Sequence, residues 1–206
     1  MRFSTHTRRK LLPTTAARHA VVRVARIGGV VPEAQLERSE HGSLVPRGEG
    51  WFVVNAREAR WFASDFGPFT RFEGDGDARF RQLGINIGIL EPGQPACMYH
   101  REDAQEGFLV LYGECVVLVE EEERPMKQWD YFHCPPYTNH VLVGAGNGPC
   151  AVLAVGKRPD TEIVYPASEL AQRHNAGVEQ ETPDPEEAYA TYSRPVETKY
   201  REGWLP

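Results

Sequence analysis

Pro92-Gly93 opens the stretch that decides the fold. It runs through Met98-Tyr99-His100, then Glu106-Gly107-Phe-Leu-Val-Leu-Tyr112 and Gly113. After a hairpin it resumes at Trp129-Asp130 and passes Pro135-Pro136 to reach His140. Residues of metal-ligand type stand at the inner ends of this pattern: His100 and Glu106 early, His140 late. A first-row metal needs at least three protein ligands, so neither half forms a site alone. The fold must join two strand segments, and a small β-barrel does that.

Outward from this stretch the same class persists. Leu83, Ile85, Ile87 and Ile89 alternate with Gly84, Asn86 and Gly88. That period of two marks a strand with one packed face and one face of small groups, which leaves room for close backbone approach or for a ligand. Trp51 to Asn55 reads as an apolar strand, and 56–66 as helix-prone or irregular. Gly28 to Gly50 is turn-rich. Gly107–Tyr112, Cys115–Val119, Asp130–Cys134, His140–Val143 and Cys150–Val155 read as further short strands, with Glu120–Glu123 as a solvated hairpin tip. Short strands at turn-marked intervals predict a double-sheet barrel.

After Pro159 the composition turns acidic and helical. Ser168 to His174, closed by Gly177, predicts one short helix. Asp184-Pro185-Glu186-Glu187 predicts another, with an aspartate cap, proline at the first position and acids in the first turn. Trp204 and Leu205 are expected to pack back on the barrel or on a partner. The expected organisation is an N-terminal extension over 1–49, the barrel over 50–157 and a short-helix tail over 158–206.

The net charge of −6 is uneven. Residues 1–26 hold seven basic side chains and no acid, which leaves the remainder near about −13. An acidic body argues against nucleic acid, since phosphate contacts need a basic face. Arg8-Arg9 before Leu11-Leu12 has the outline of an export signal, but Pro13, Thr14, Thr15, Arg18 and His19 interrupt its apolar part, so a mobile or strand-donating head is expected. No run has the apolar length of a membrane span. Cys97, Cys115, Cys134 and Cys150 lack paired spacing and read as reduced thiols of a cytoplasmic protein. A weak strand at Ala20–Ala25 and the apolar end at Trp204-Leu205 predict a homodimer.

The Pro92–His140 stretch resembles the two motifs of the cupin superfamily. The first ends in a glutamate, six residues and a glycine, and Glu106 to Gly113 has that gap. Met98 stands where the family's first histidine falls, and five residues separate His100 from Glu106. Over the second motif, Trp129, Pro135, Tyr137, His140 and Gly144 occupy the glycine, proline, glycine, histidine and asparagine positions, so only Pro135 and His140 match. Asp130 and the Pro135-Pro136 pair are also usual there. The resemblance spans roughly Arg79 to Gly156 and implies an all-β double-stranded β-helix, a cupin or jelly-roll barrel. It is similar to small single-domain bacterial cupins of unassigned function.

The expected site is one divalent ion, iron, manganese, nickel or zinc, on His100, Glu106 and His140. Two imidazoles and one carboxylate form a facial triad with open positions. Glu102 and Gln105 lie within reach as an additional ligand. Met98 reads chiefly as core filling, and Tyr99 either borders the pocket or packs outside. His133 and Cys134 point to opposite faces of a strand, so both cannot enter one pocket, and His133 is kept as an acid–base candidate. Two function classes follow: a metal-dependent enzyme of oxygenase or isomerase type acting on a small polar molecule, or a non-catalytic barrel that binds a small ligand with or without metal. The ligand partner is a small molecule in both.

Overall fold

The alternation at Leu83–Leu90 places one strand at the centre of the molecule. In the computed structural model, which describes residues 29–158 and 162–206, that strand has four others before it in the chain and nine after. The strands up to the centre are β1 (Gln35–Arg38), β2 (Leu44–Arg47), β3 (Arg60–Ala63), β4 (Phe69–Arg71) and β5 (Leu83–Leu90). Those of the motif region are β6 (Arg101–Glu102), β7 (Glu106–Tyr112), β8 (Glu114–Val119), β9 (Glu122–Lys127), β10 (Tyr131–Cys134), β11 (His140–Ala145) and β12 (Cys150–Lys157). Then come β13 (Ile163–Val164), helices α1 (Glu169–Arg173) and α2 (Pro185–Ala188), and β14 (Val196–Thr198). The chain is mostly antiparallel β, as the alternating pattern requires.

One sheet has seven strands in the order β10-β7-β12-β5-β4-β3-β14, and a second has three, β11-β8-β9. Register partners share a face. Arg60 pairs with Arg71, Phe62 with Phe69, and Phe69 with Gly88. Asn86 pairs with Ala154, Ala154 with Phe108, Gly156 with Glu106, and Glu106 with Cys134. These residues therefore all lie on one face of the larger sheet. That face meets the smaller sheet, because Leu90, Phe108, Val110 and Val152 pack against Cys115, Val117, Met126 and Leu142 in a single cluster. The fold is a jelly-roll barrel with its core between the sheets.

The outer faces are closed from the C-terminal part. Leu118, Val141 and Val143 on the smaller sheet pack against Leu170 and Ala171 of α1. Trp61, Ile87 and Ile89 on the larger one pack against Tyr200, Trp204 and Leu205. Ser168 caps α1 by accepting from Ala171 N–H, and Asp184 caps α2 by accepting from Glu186 N–H, as the sequence predicts. The left-handed residue after α1 is Asn175, at φ 56°, where Gly177 was expected. Gly177 serves close packing instead, since a Cβ there would lie 2.6 Å from Gln172 N.

Other expectations change. Trp51–Asn55 is not a strand: Trp51 forms one isolated bridge to Glu33, and Val53 is 81% exposed. Apolar content alone gave it no neighbouring strand to pair with. The strand falls in the following segment instead, where β3 buries Trp61 completely and Ala56 O accepts from its indole N–H. The turn-rich Gly28–Gly50 segment contains the β1–β2 hairpin. The acidic tip narrows to Glu120 and Glu121, both at positive φ, and the chain returns as β9. This edge strand carries Pro125 and charged side chains, which hid it in the sequence. Residues 1–20 and the strand expected at Ala20–Ala25 lie outside the described residues.

Trp129 and Tyr137 adopt left-handed backbone, at φ 73° and 67°. The two residues are 67% and 63% exposed, so little packing offsets the strain. Their N–H groups donate to Val110 O and Glu102 O, bonds that glycine would keep. Trp129→Gly and Tyr137→Gly are each expected to stabilise the protein by about 1 kcal/mol. The midpoint of urea unfolding measures this, and a lowered midpoint would show that the rings matter more than the strain.

Candidate metal centre

Three strands deliver the three side chains. His100 directly precedes β6, and its N–H donates to His140 O at 3.2 Å while His140 N–H donates to His100 O at 2.8 Å. This hydrogen-bonded antiparallel pair sets the two side chains on one face, with ring centroids 4.8 Å apart. Glu106 starts β7 between Cys134 of β10 and Gly156 of β12. One ligand atom from each of His100, Glu106 and His140 lies within 4.8 Å of the others. The sequence-expected trio thus converges.

Both imidazoles are oriented by the backbone. His100 Nδ1 lies 2.8 Å from Met98 O and His140 Nδ1 lies 3.1 Å from Thr138 O. A carbonyl only accepts, so Nδ1 carries the hydrogen and donates, which leaves Nε2 of each ring for the site. Cys134 Sγ, 3.4 Å from His140 Nδ1, is a second acceptor beside Thr138 O.

The carboxylate shows a cation-shaped need. Glu106 Oε2 is buried and 3.1 Å from His140 Nε2, yet it accepts no well-aligned hydrogen bond. Such an oxygen is costly to bury without a partner. A Cβ at Gly156 would stand 3.2 Å from Glu106 Oε1, so the glycine makes room for this carboxylate. Two imidazole nitrogens and one buried, underused carboxylate suit a divalent first-row ion.

Electrostatics set the protons of the triad. Burial, then the nearby charge of His140, push His100 down to about 4, so it is neutral at pH 7. Burial also pushes His140 down, but its contacts with Cys134 and Glu106 outweigh this and hold it at about 10. Without a metal ion, His140 is therefore protonated and pairs by charge with Glu106 Oε2 at 3.1 Å, in a geometry that is not an aligned hydrogen bond.

The other sequence candidates lie around this group. Met98 is buried against Tyr165 and Ala188, and contributes its carbonyl to His100. Tyr99 points to the opposite side, into the α1 cluster, and its hydroxyl accepts from Glu121 N–H. Glu102 lies in β6 opposite Ile163, and Gln105 is exposed with its carbonyl accepting from Lys157 N–H. His133 is exposed, while Cys134 is buried beside the triad. Strand parity separated those two, but the reading of Cys134 as a plain thiol missed its place against His140. Cys97, with Sγ 3.7 Å from His100 Nδ1, was missed in the same way.

Beyond the triad the barrel holds a cavity of about 740 Å³. Asn86, Gly88 and Leu90 of β5 line it, so the small-residue face borders open space. Phe66, Phe69, Phe108 and Tyr189 make most of the rest apolar. The histidine rings are not in its wall. Phe108, whose ring centroid is 5.3 Å from that of His140, and Cys97 stand between. The His140 side chain is 2% exposed and that of Glu106 17%.

Residues 86–156, the span that holds this site, match the cupin domain family. This segment is a cupin domain. Its glycine at the end of the first motif, Gly113, has φ 74°, and a Cβ would lie 2.4 Å from Pro149 O. The family's two second-motif glycines are Trp129 and Tyr137 here, and both keep the left-handed backbone that glycine normally supplies. No curated protein matches the chain. Solved structures that it is similar to include a sugar phosphate isomerase of the cupin superfamily from Silicibacter pomeroyi, at 28% identity and TM-score 0.41, covering 55% of this chain and 77% of that one. A protein from Acidithiobacillus ferrooxidans named for sugar phosphate isomerase is 23% identical at TM-score 0.42 over 48% of this chain, which spans 64% of that one. The polyketide cyclase RemF from Streptomyces resistomycificus is 12% identical at TM-score 0.49, over 66% and 96%. Among the described residues no helix is long and apolar enough to cross a membrane. All four cysteines are free.

Proposed function

We propose that His100, Glu106 and His140 hold one divalent metal ion and that the cupin barrel binds a small molecule beside it as a metal-dependent enzyme, of oxygenase or isomerase type. The observation that carries this reading is the buried Glu106 Oε2, which faces two backbone-oriented imidazoles without a well-aligned hydrogen. A bound ion would supply Lewis acidity and open coordination positions. The chain's own residues do the rest. Met98 O and Thr138 O fix the imidazoles, Gly156 gives the carboxylate room, and the apolar wall of Phe66, Phe69 and Phe108 excludes water. That wall supports a substrate with an apolar body beside the polar groups expected from sequence. Titration of chelator-treated protein with manganese, nickel, zinc and anaerobic ferrous ion should give one site per chain. Absence of binding by all four would end the metal reading.

The placement of Phe108 and Cys97 between cavity and triad favours a second reading, in which the barrel binds its ligand without reaction. A bound ligand that leaves the spectrum of a cobalt-substituted site unchanged would select it.

We also propose a homodimer through the larger sheet. Leu83 and Tyr131 are 46% and 61% exposed and border an open apolar groove with Leu109 and Leu153. A sheet face of this kind is commonly covered by a second copy. Light scattering at micromolar concentration should give twice the chain mass, and a stable monomer mass would contradict it.

A further inference from the structure

The inner face of the larger sheet carries Glu106 of the triad on β7 and, toward its other edge, arginines. Arg60 and Arg71 are register partners on β3 and β4. With Arg79 and Arg158 they border a polar cleft of about 370 Å³ that also includes Glu73 and Asp75. Arg60 is taken up by Asp75, with Nη1 and Nη2 donating to its two oxygens at 2.9 and 3.1 Å. Arg158 Nη1 donates to both oxygens of Glu73, at 2.9 and 2.7 Å. Among the described residues, Arg71 and Arg79 form no ion pair. Four guanidinium groups against two carboxylates leave the cleft with an excess of about two positive charges.

This crowding is built into the fold. The Arg71 guanidinium sits 4.5 Å above the Phe62 ring and 5.4 Å from that of Phe69, so the two rings fix its plane. Burial, then the like charge of Arg60, lower the Arg71 pKa. Arg60 is 9% exposed, and its Nε is buried without a hydrogen-bond partner. A Cβ at Gly84 would lie 3.1 Å from Arg158 Nε, so this glycine lets the guanidinium lie over β5. Converging, partly desolvated cations of one sign repel unless an anion joins them.

The cleft adjoins the barrel cavity, since Phe69 and Asn86 line both. We infer that the arginine cleft is an anion subsite that takes the phosphate group of a small phosphate monoester, whose apolar body lies in the barrel cavity. The assignment of the body rests on the reading of that cavity as the ligand site; the anion subsite itself does not need the metal. A phosphate monoester carries close to two negative charges and presents oxygens that guanidinium groups recognise bidentately. A monocarboxylate would leave about half of the excess charge unmatched.

Calorimetry with phenyl phosphate, at a pH of about 8 where the phosphate is fully charged, tests this. The protein is first stripped of metal on a chelating resin. Phenyl phosphate should bind at least about tenfold more tightly than benzoate, and inorganic phosphate should compete with it. Arg71→Ala and the bulkier Arg71→Gln, each confirmed folded by circular dichroism, should weaken binding at least about tenfold. Because the metal has already been removed, binding of phenyl phosphate by this protein separates failure of this subsite from failure of the metal reading. No binding of phenyl phosphate, equal binding of benzoate, or equal affinity in both Arg71 variants would overturn the assignment.

Discussion

His140→Ala is expected to weaken divalent-metal binding by at least about 100-fold and to leave the barrel folded. The ring is one of the three proposed ligands, and loss even of groups that merely orient a ligand costs about 10–100-fold. Its backbone bonds with His100 involve only N–H and carbonyl groups, which alanine retains. The lost packing against Phe108 and Phe132 should cost about 2–4 kcal/mol, short of unfolding a barrel with two well-filled sheet faces. Glu106→Gln provides a second, nearly isosteric variant. It keeps the volume beside Gly156 and removes the charge, and it should lose affinity comparably. Elemental analysis of both proteins, with circular dichroism as the check on folding, reads the result. Metal that survives loss of His140 would show that the ligand set is wrong.

The legibility of this site followed from strand parity and register. His100, Glu106 and His140 could be picked from sequence because they are ligand-type residues at the ends of recognisable strands. That His133 faces out while Cys134 faces in follows from a period of two. The role of Gly156 was not legible, because it depends on a register pairing across fifty residues of chain. The arginine cleft was hidden for the same reason. Arg60 lay in a segment read as irregular, and nothing in the sequence says that it sits opposite Arg71. Among fold elements, β5 and the motif strands announced themselves by alternation. β9 and β3 did not, one because an edge strand is polar, the other because its identity as a strand comes from burying Trp61 under the C-terminal Tyr200 and Trp204.

Metal affinity should rise about tenfold per pH unit through neutrality, so that about a 100-fold gain separates pH 6 from pH 8. From sequence alone, ordinary histidine behaviour predicts that occupancy fails only below about pH 6. The geometry changes this. His100, pushed down to about 4, is already neutral, and contributes no proton to be displaced. His140, held at about 10 by Cys134 and Glu106 against the effect of burial, keeps its proton until an ion replaces it. Binding near pH 7 should therefore release close to one proton per ion, which calorimetry in buffers of different ionisation enthalpy measures directly. The metal-free protein carries the matching stability signs. The His140 pKa is raised above its unfolded value of about 6.5, so its contribution is full below that pH and is lost as pH rises through about 10. The His100 pKa is depressed, so its neutral burial costs stability as pH falls from about 6.5 through about 4. The apo barrel should thus be most resistant to urea near pH 6 to 7, whereas metal should extend its stability toward alkaline pH. Proton release near zero at pH 7 would mean that His140 is neutral before the ion arrives, and that Glu106 Oε2 stands unpaired until then.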